Sequence, residues 1–262
     1  MLSQNQIKHI TALRVKKYRE EYDQFIAEGH KLVMDLLNSD FTIVGLYASA
    51  DWIVANLPLT GKKNIPVFET TLQEMKRITS LSTPSPVLAV VKIPEEERDA
   101  SRVTRHASRF LFLALDDIRD PGNLGTIIRI ADWFGLSGVY CSQNCVDIYN
   151  PKVVQATMGS IARVTVFRRD LKKLFIDIAR YKIDIPVYGA LLEGESIFSH
   201  PLTPYGIILI GNESRGISPE LIPFITQKIF IPSFGSTESG KAESLNASVA
   251  AAILCAEFRR KT

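Results

Sequence analysis

Arg129 stands in a segment whose apolar residues recur at helical spacing: Leu124, Ile127, Ile128, Ala131 and Phe134 mark one face, and Arg129 falls on the other. Side chains on a helix lean toward its N-terminus, so this guanidinium can reach back past Thr126 and Gly125 over the loop Asp120-Pro121-Gly122-Asn123. The apolar run 110–115 just upstream reads as a strand. One cation and one amide, Asn123, thus converge above a strand end, where open α/β sheets place their ligands. Asn123 fits an N-cap, and Gly135 fits the position just past the helix. From this segment alone, a solvated helix arginine is an equal reading.

Two later stretches add polar groups in the same kind of setting. The apolar run 207–210 leads into Gly211-Asn212-Glu213-Ser214-Arg215-Gly216, then Ser218 and Pro219, which suit an N-cap and first turn of a helix over 219–225. The glycine pair lets backbone approach a ligand while holding one carboxylate, Glu213. No Gly-Lys-Ser/Thr follows at phosphate-loop spacing, and no Gly-x-Gly-x-x-Gly is present for a dinucleotide. The third stretch is Ile229-Phe230-Ile231-Pro232, a polar loop over 233–243, then Ser244-Leu245-Asn246-Ala247-Ser248. Ser244 could simply cap the last helix. Asn246 is a poor helix former and needs a partner in its first turn.

The elements that must position these groups alternate along the chain. Residues 3–18 read as one basic helix, followed by an apolar piece over 25–27, a helix over 30–37, strands over 42–48 and 66–68, a helix over 72–78 and a strand over 87–93. A small α/β domain over 1–93 is expected. The charged, aperiodic stretch 94–106 suits a linker. Over 107–262, strands near 138–141, 164–167, 186–190, 207–210 and 228–231 alternate with helices near 151–161, 171–180 and 247–260. This pattern argues for a mostly parallel sheet covered on both faces.

Composition narrows the chemistry. At 262 residues the chain suits one large or two modest domains, and a net charge of +3 does not by itself announce a nucleic-acid partner. The charge is uneven, however. Lys8, Arg14, Lys16, Lys17 and Arg19 crowd the N-terminal arm, a candidate phosphate contact or an ordinary solvated helix. The odd cysteine count, Cys141, Cys145 and Cys255, and the lack of an apolar run of about 20 residues fit a reduced, cytoplasmic protein with no membrane span. No second Cys or His pair follows Cys141 and Cys145 at zinc-site spacing, so no metal is expected. His9, His30, His106 and His200 sit in no catalytic pattern.

Taken in order, Asp120-Pro121-Gly122-Asn123-Leu124-Gly125 through Arg129, Gly211-Asn212-Glu213-Ser214-Arg215-Gly216, and Ile231-Pro232 with Ser244-Leu245-Asn246-Ala247-Ser248 resemble the three motifs of the SpoU (TrmH-like) family of RNA ribose 2′-O-methyltransferases. Phe25-Ile26-Ala27-Glu28-Gly29 and Ser82-Thr83-Pro84-Ser85-Pro86-Val87-Leu88-Ala89-Val90 are similar to the L30e-like substrate-binding domain that precedes many members. The loop before Ser244 is longer than usual, with 235–241 inserted.

The resemblance implies an α/β fold whose C-terminal, mostly parallel sheet carries a deep trefoil knot. It implies S-adenosylmethionine as methyl donor, contacted at Gly211, Ile231 and Leu245, and a catalytic set of Arg129, Asn123, Glu213, Ser244 and Asn246. It also implies a homodimer. Ribosomal RNA is the preferred substrate, because family members with this N-terminal domain often modify it. The alternatives are a transfer-RNA methyltransferase and a non-catalytic RNA-binding ribosome-assembly factor. A nicotinamide enzyme lacks its glycine fingerprint.

Overall fold

The computed structural model describes residues 1–62, 64–94, 110–181, 185–235 and 244–260. They form two compact units, and compactness does not follow the chain linearly. The first unit takes the residues up to 94 together with Asp147–Arg163; the second takes 110–146 and the residues from Val164 onward.

In the first unit, β1 (Gln24–Glu28), β2 (Ile43–Ala48), β3 (Val67–Glu69) and β4 (Val87–Lys92) form a sheet in the order β1-β4-β2-β3. β4 runs antiparallel to β1 and β2, and β2 runs parallel to β3. The apolar residues Ile10, Leu13, Ile26, Ile78, Leu88 and Val90 meet in its core. The basic arm is two helices, Gln4–Ala12 and Lys16–Tyr22, rather than one. The sequence reading missed a helix over Ala50–Lys62, which contains Pro58. Proline and glycine inside an apolar segment read as breakers, yet the helix runs through Pro58. The expected helix over 151–161 stops at Ala156 and resumes only as a 3-10 turn, Ser160–Ala162; both belong to this first unit.

In the second unit, β5 (Leu111–Leu115), β6 (Gly138–Cys141), β7 (Val166–Arg168), β8 (Val187–Ser196), β9 (Gly206–Ile210) and β10 (Gln227–Phe230) form an all-parallel sheet in the order β10-β8-β9-β5-β6-β7. β5 and β9 are buried along their whole length, as unbroken apolar strands of a parallel sheet must be. The Leu171–Arg180 helix lays Leu171, Leu174, Phe175 and Ile178 against Phe112, Tyr140 and Ile207 of the sheet. The helix expected over 219–225 is only a 3-10 turn, Ile222–Phe224. Ser218 caps nothing there; its N–H donates to Asp116 Oδ2 at 2.8 Å.

The strand order places β6 and β7 on one side of β5, and β9 and β8 on the other. The loops leaving the carboxyl ends of β5 and β9 therefore flank a switch point, where such sheets open a crevice. The linker expected over 94–106 lies, beyond residue 94, outside the described residues, as do residues 236–243 of the extended loop.

Candidate active site

The Pro121–Trp133 helix begins at Asp120, whose Oδ1 accepts the Asn123 N–H at 2.7 Å, with Pro121 in the first turn, where a missing N–H costs nothing. Asp120 is the cap, not Asn123 as the sequence suggested. With its backbone amide satisfied by the aspartate, Asn123 has a side chain free for tertiary contacts. Its Nδ2 donates to Glu213 Oε1 at 2.6 Å, and its Oδ1 accepts from Asn246 Nδ2 at 2.9 Å. The carboxylate can only accept, so the orientation of the Asn123 amide is chemically fixed.

Asn246 in turn caps the Ala247–Arg259 helix. Its Oδ1 accepts from Ser248 N–H (2.9 Å), Ser248 Oγ–H (2.6 Å) and Val249 N–H (3.3 Å). The partner its residue type demanded is thus its own first turn, and its remaining amide hydrogens reach Asn123. Ser244 lies exposed ahead of the helix and does not cap it. Glu213, Asn123 and Asn246 form one chain of hydrogen bonds joining the three loops that carry the motifs. The two helices that begin in these loops are also tied at the other end, where Arg259 Nε and Nη2 donate to the carbonyls of Phe134 and Gly135, both at 2.9 Å.

The loop after β9 holds itself in place. Asn212 and Gly216 exchange backbone hydrogen bonds at 3.0 and 2.8 Å, and Asn212 Oδ1 accepts from the N–H groups of Ser214 and Arg215. A Cβ on Gly211 would lie 2.3 Å from the Gly216–Ile217 peptide, so glycine is required there by the loop's own closure. Asn212 Nδ2 also donates to the Asp117 carbonyl at 2.8 Å, fastening this loop to the one after β5.

Arg129 lies on the exposed stripe Gly122, Thr126, Arg129 and Trp133, opposite the buried Leu124, Ile127, Ile128 and Ala131. Among the described residues, no acceptor or carboxylate engages its guanidinium. Ile231 directly follows β10 and is half-buried, and Leu245 is exposed just before the last helix. Residues 231–235 have no regular structure and make no backbone hydrogen bond among the described residues.

The N-terminal arm divides differently from the sequence expectation. Lys8, Arg14, Lys16 and Lys17 are exposed, with Lys16 3.4 Å from Glu20 and Arg14 Nη2 donating to the Thr79 carbonyl at 2.6 Å. Arg19 is only 2% exposed. Its Nε and Nη2 both donate to Asp147 Oδ2, the former at 2.9 Å, and its Nη1 donates to the Leu13 carbonyl at 2.8 Å. It is an internal structural cation and is withdrawn from the RNA-contact set, because a guanidinium so enclosed has no face left for a phosphate.

Sequence reasoning also passed over Asp116, Asp117 and Ser142. Asp116 Oδ2 holds the Ser218 N–H, and Asp117, at a left-handed φ of 58°, donates its N–H to Ser142 Oγ at 2.9 Å. Two acidic residues closing an apolar strand were the only signal. Beneath this loop Cys145 Sγ accepts the Ile118 N–H at 3.3 Å. A hydrogen bond from Cys141 pulls the Cys145 thiol down to about 7, while the same bond and burial push Cys141 well above its ordinary value. Among the described residues, no group of three or more His, Cys, Asp and Glu could hold a metal ion, and no helix is long and apolar enough to cross a membrane.

Comparison with known proteins identifies the family. Residues 110–256 match the SpoU rRNA Methylase family, and residues 4–89 match the MRM3-like substrate binding domain. The 23S rRNA (guanosine(2553)-2′-O)-methyltransferase RlmP of Bacillus subtilis is 29% identical over 254 residues, covering 97% of this chain and 95% of that protein. Among solved structures, a protein assigned to the TrmH family of RNA methyltransferases from Porphyromonas gingivalis superposes with a TM-score of 0.88 at 38% identity, over 100% of both chains. An AdoMet-bound rRNA methyltransferase from Sinorhizobium meliloti superposes with a TM-score of 0.82 at 28% identity, over 100% of this chain and 97% of that one. With the family match spanning more than half of its length, the chain belongs to the SpoU rRNA methylase family.

Proposed function

We propose that this protein transfers a methyl group from S-adenosylmethionine to a ribose 2′-hydroxyl of ribosomal RNA, with Arg129 at the reacting oxygen. The observation that carries the assignment of the site is the chain Glu213, Asn123, Asn246, which gathers the three motif loops around one point while Arg129 stays unengaged among the described residues. Ribosomal RNA is favoured over transfer RNA by the names of relatives matched along nearly the whole chain.

The residues present fit the donor. The open backbone of 231–235 offers N–H and C=O groups for an adenine edge, the exposed Leu245 offers an apolar surface, and the closely folded turn at Gly211 keeps side-chain bulk away. Gly211, Ile231 and Leu245 would hold the donor, and a methyl on a sulfonium sulfur supplies the electrophile without a metal.

Arg129 serves the reaction as a cation rather than as a base. It stabilises negative charge growing on the 2′-oxygen and steadies a neighbouring phosphate. Glu213, Asn123 and Asn246 fix the loops on which that alignment depends, and Ser244 stands exposed beside them.

The first unit reads RNA by shape and phosphates through Lys8, Arg14, Lys16 and Lys17. Self-association as a homodimer is supported by apolar side chains left in solvent on the two paired helices, Trp133 at 85% exposure and Val249.

The test incubates the protein with methyl-labelled S-adenosylmethionine and unmodified ribosomal or transfer RNA, alongside Arg129→Ala. Label recovered as 2′-O-methylated nucleosides from ribosomal RNA, and absent with the variant, is the expected result. Label on transfer RNA alone would move the substrate, and no label with no donor binding would favour a non-catalytic assembly factor.

A further inference from the structure

Asp117 carries two arginines. Its side chain is only 10% exposed, yet Arg119 Nε donates to Oδ1 at 2.7 Å and Arg215 Nη2 lies 3.3 Å from Oδ2. The two guanidiniums come from different loops, after β5 and after β9, and are 61% and 64% exposed. Arg119, Arg215 and Asp117 together carry one net positive charge, and the neighbouring carboxylates Asp116, Asp120 and Glu213 each accept a hydrogen bond, from Ser218 N–H, Asn123 N–H and Asn123 Nδ2 respectively. An ion pair reached by an exposed arginine adds little to stability, so stability is a weak reason for a second arginine.

The carboxylate itself is rigidly mounted. Its residue is pinned at both backbone groups, by Ser142 Oγ at the N–H and by Asn212 Nδ2 at the carbonyl, in a left-handed conformation. Arg119 engages it through Nε, which leaves both of its Nη groups available among the described residues. Arg119 lies one residue before the cap Asp120, and Arg215 lies two after Glu213, so both stand on the loops that the Glu213–Asn123 bond joins.

We propose that Asp117 is a positioning residue that holds Arg119 and Arg215 as a paired clamp for the RNA phosphates next to the target ribose. The clamp rests on the methyl-transfer reading for its role. Its chemistry requires only an RNA backbone, because a guanidinium presents a planar fork of donors that a phosphate matches.

RNA binding is measured as a function of salt, and initial methylation rates as a function of RNA, for wild type, the Arg119→Gln/Arg215→Gln double variant, Asp117→Asn and the triple variant. Asparagine tolerates the left-handed conformation, so Asp117→Asn removes the charge and spares the backbone. The double variant is expected to raise the KM for RNA about tenfold, to leave donor affinity unchanged, and to flatten the salt slope by about 0.7 for each arginine. Asp117→Asn should raise KM several-fold in the wild type and add nothing in the double variant. An unchanged salt slope and KM in the double variant would overturn the clamp, as would an equal effect of Asp117→Asn in both backgrounds. Should wild type bind RNA without methylating it, the methyl-transfer reading falls while the salt slopes still decide the clamp.

Discussion

Arg19 in the N-terminal arm and Arg129 at the strand ends look alike in sequence, each a cation on a helix, and the structure gives them opposite fates. Arg19 is enclosed, with its guanidinium divided between Asp147 and the Leu13 carbonyl. Arg129 stands on an exposed stripe with no partner among the described residues, beside loops tied to one another through Glu213, Asn123 and Asn246. A cation satisfied inside a fold holds that fold together. One held out by a rigid, satisfied scaffold is available to something that arrives.

The contrast can be broken most forcefully at Arg129. Arg129→Ala should lower methyl transfer about 10²–10³-fold while leaving donor affinity as it was, read by single-turnover labelling and by donor titration. Lost donor affinity would make Arg129 part of the donor site instead. Arg19→Ala should cost about 3 kcal/mol, roughly a hundredfold in the folding equilibrium, because it strands Asp147 as well as removing a buried cation. Urea unfolding reads this, and weakened RNA binding at unchanged stability would return Arg19 to the contact set. Asn123→Ala removes one hydrogen bond to a carboxylate and one to an amide, and should slow transfer about tenfold with little change in unfolding midpoint. The smallest effect is expected of Lys16→Gln/Lys17→Gln, a loss of RNA affinity of a few-fold that vanishes at high salt. An undiminished affinity would leave the arm a solvated helix.

The central strands β5 and β9 and the helix bearing Arg129 were legible because buried parallel strands read as unbroken apolar runs and a covering helix as a periodic stripe, whereas β8 runs on to Ser196 through exposed residues, beyond the expected 186–190. The capping role was misjudged between Asp120 and Asn123, since both side chains can accept an amide and only geometry says which is nearer. Ser218-Pro219 carries a fair helix-start signal, yet only a 3-10 turn follows, Ile222–Phe224. Burial of Arg19 could not be read at all, because its partner lies 128 residues further along. The three motif loops were identifiable as separate stretches, whereas the hydrogen bonds that join them are long-range facts.

Asp147–Arg163 belongs to the first unit although it is encoded in the middle of the second. During vectorial synthesis the first unit therefore cannot finish when its four strands have emerged. It waits for the chain to extend through β5 and β6 and deliver Asp147 to Arg19. A gene fragment cut after residue 93 would encode an unfinished module with a buried guanidinium awaiting its counter-ion. Recombination that transplants this unit as an N-terminal cassette must carry the internal segment with it.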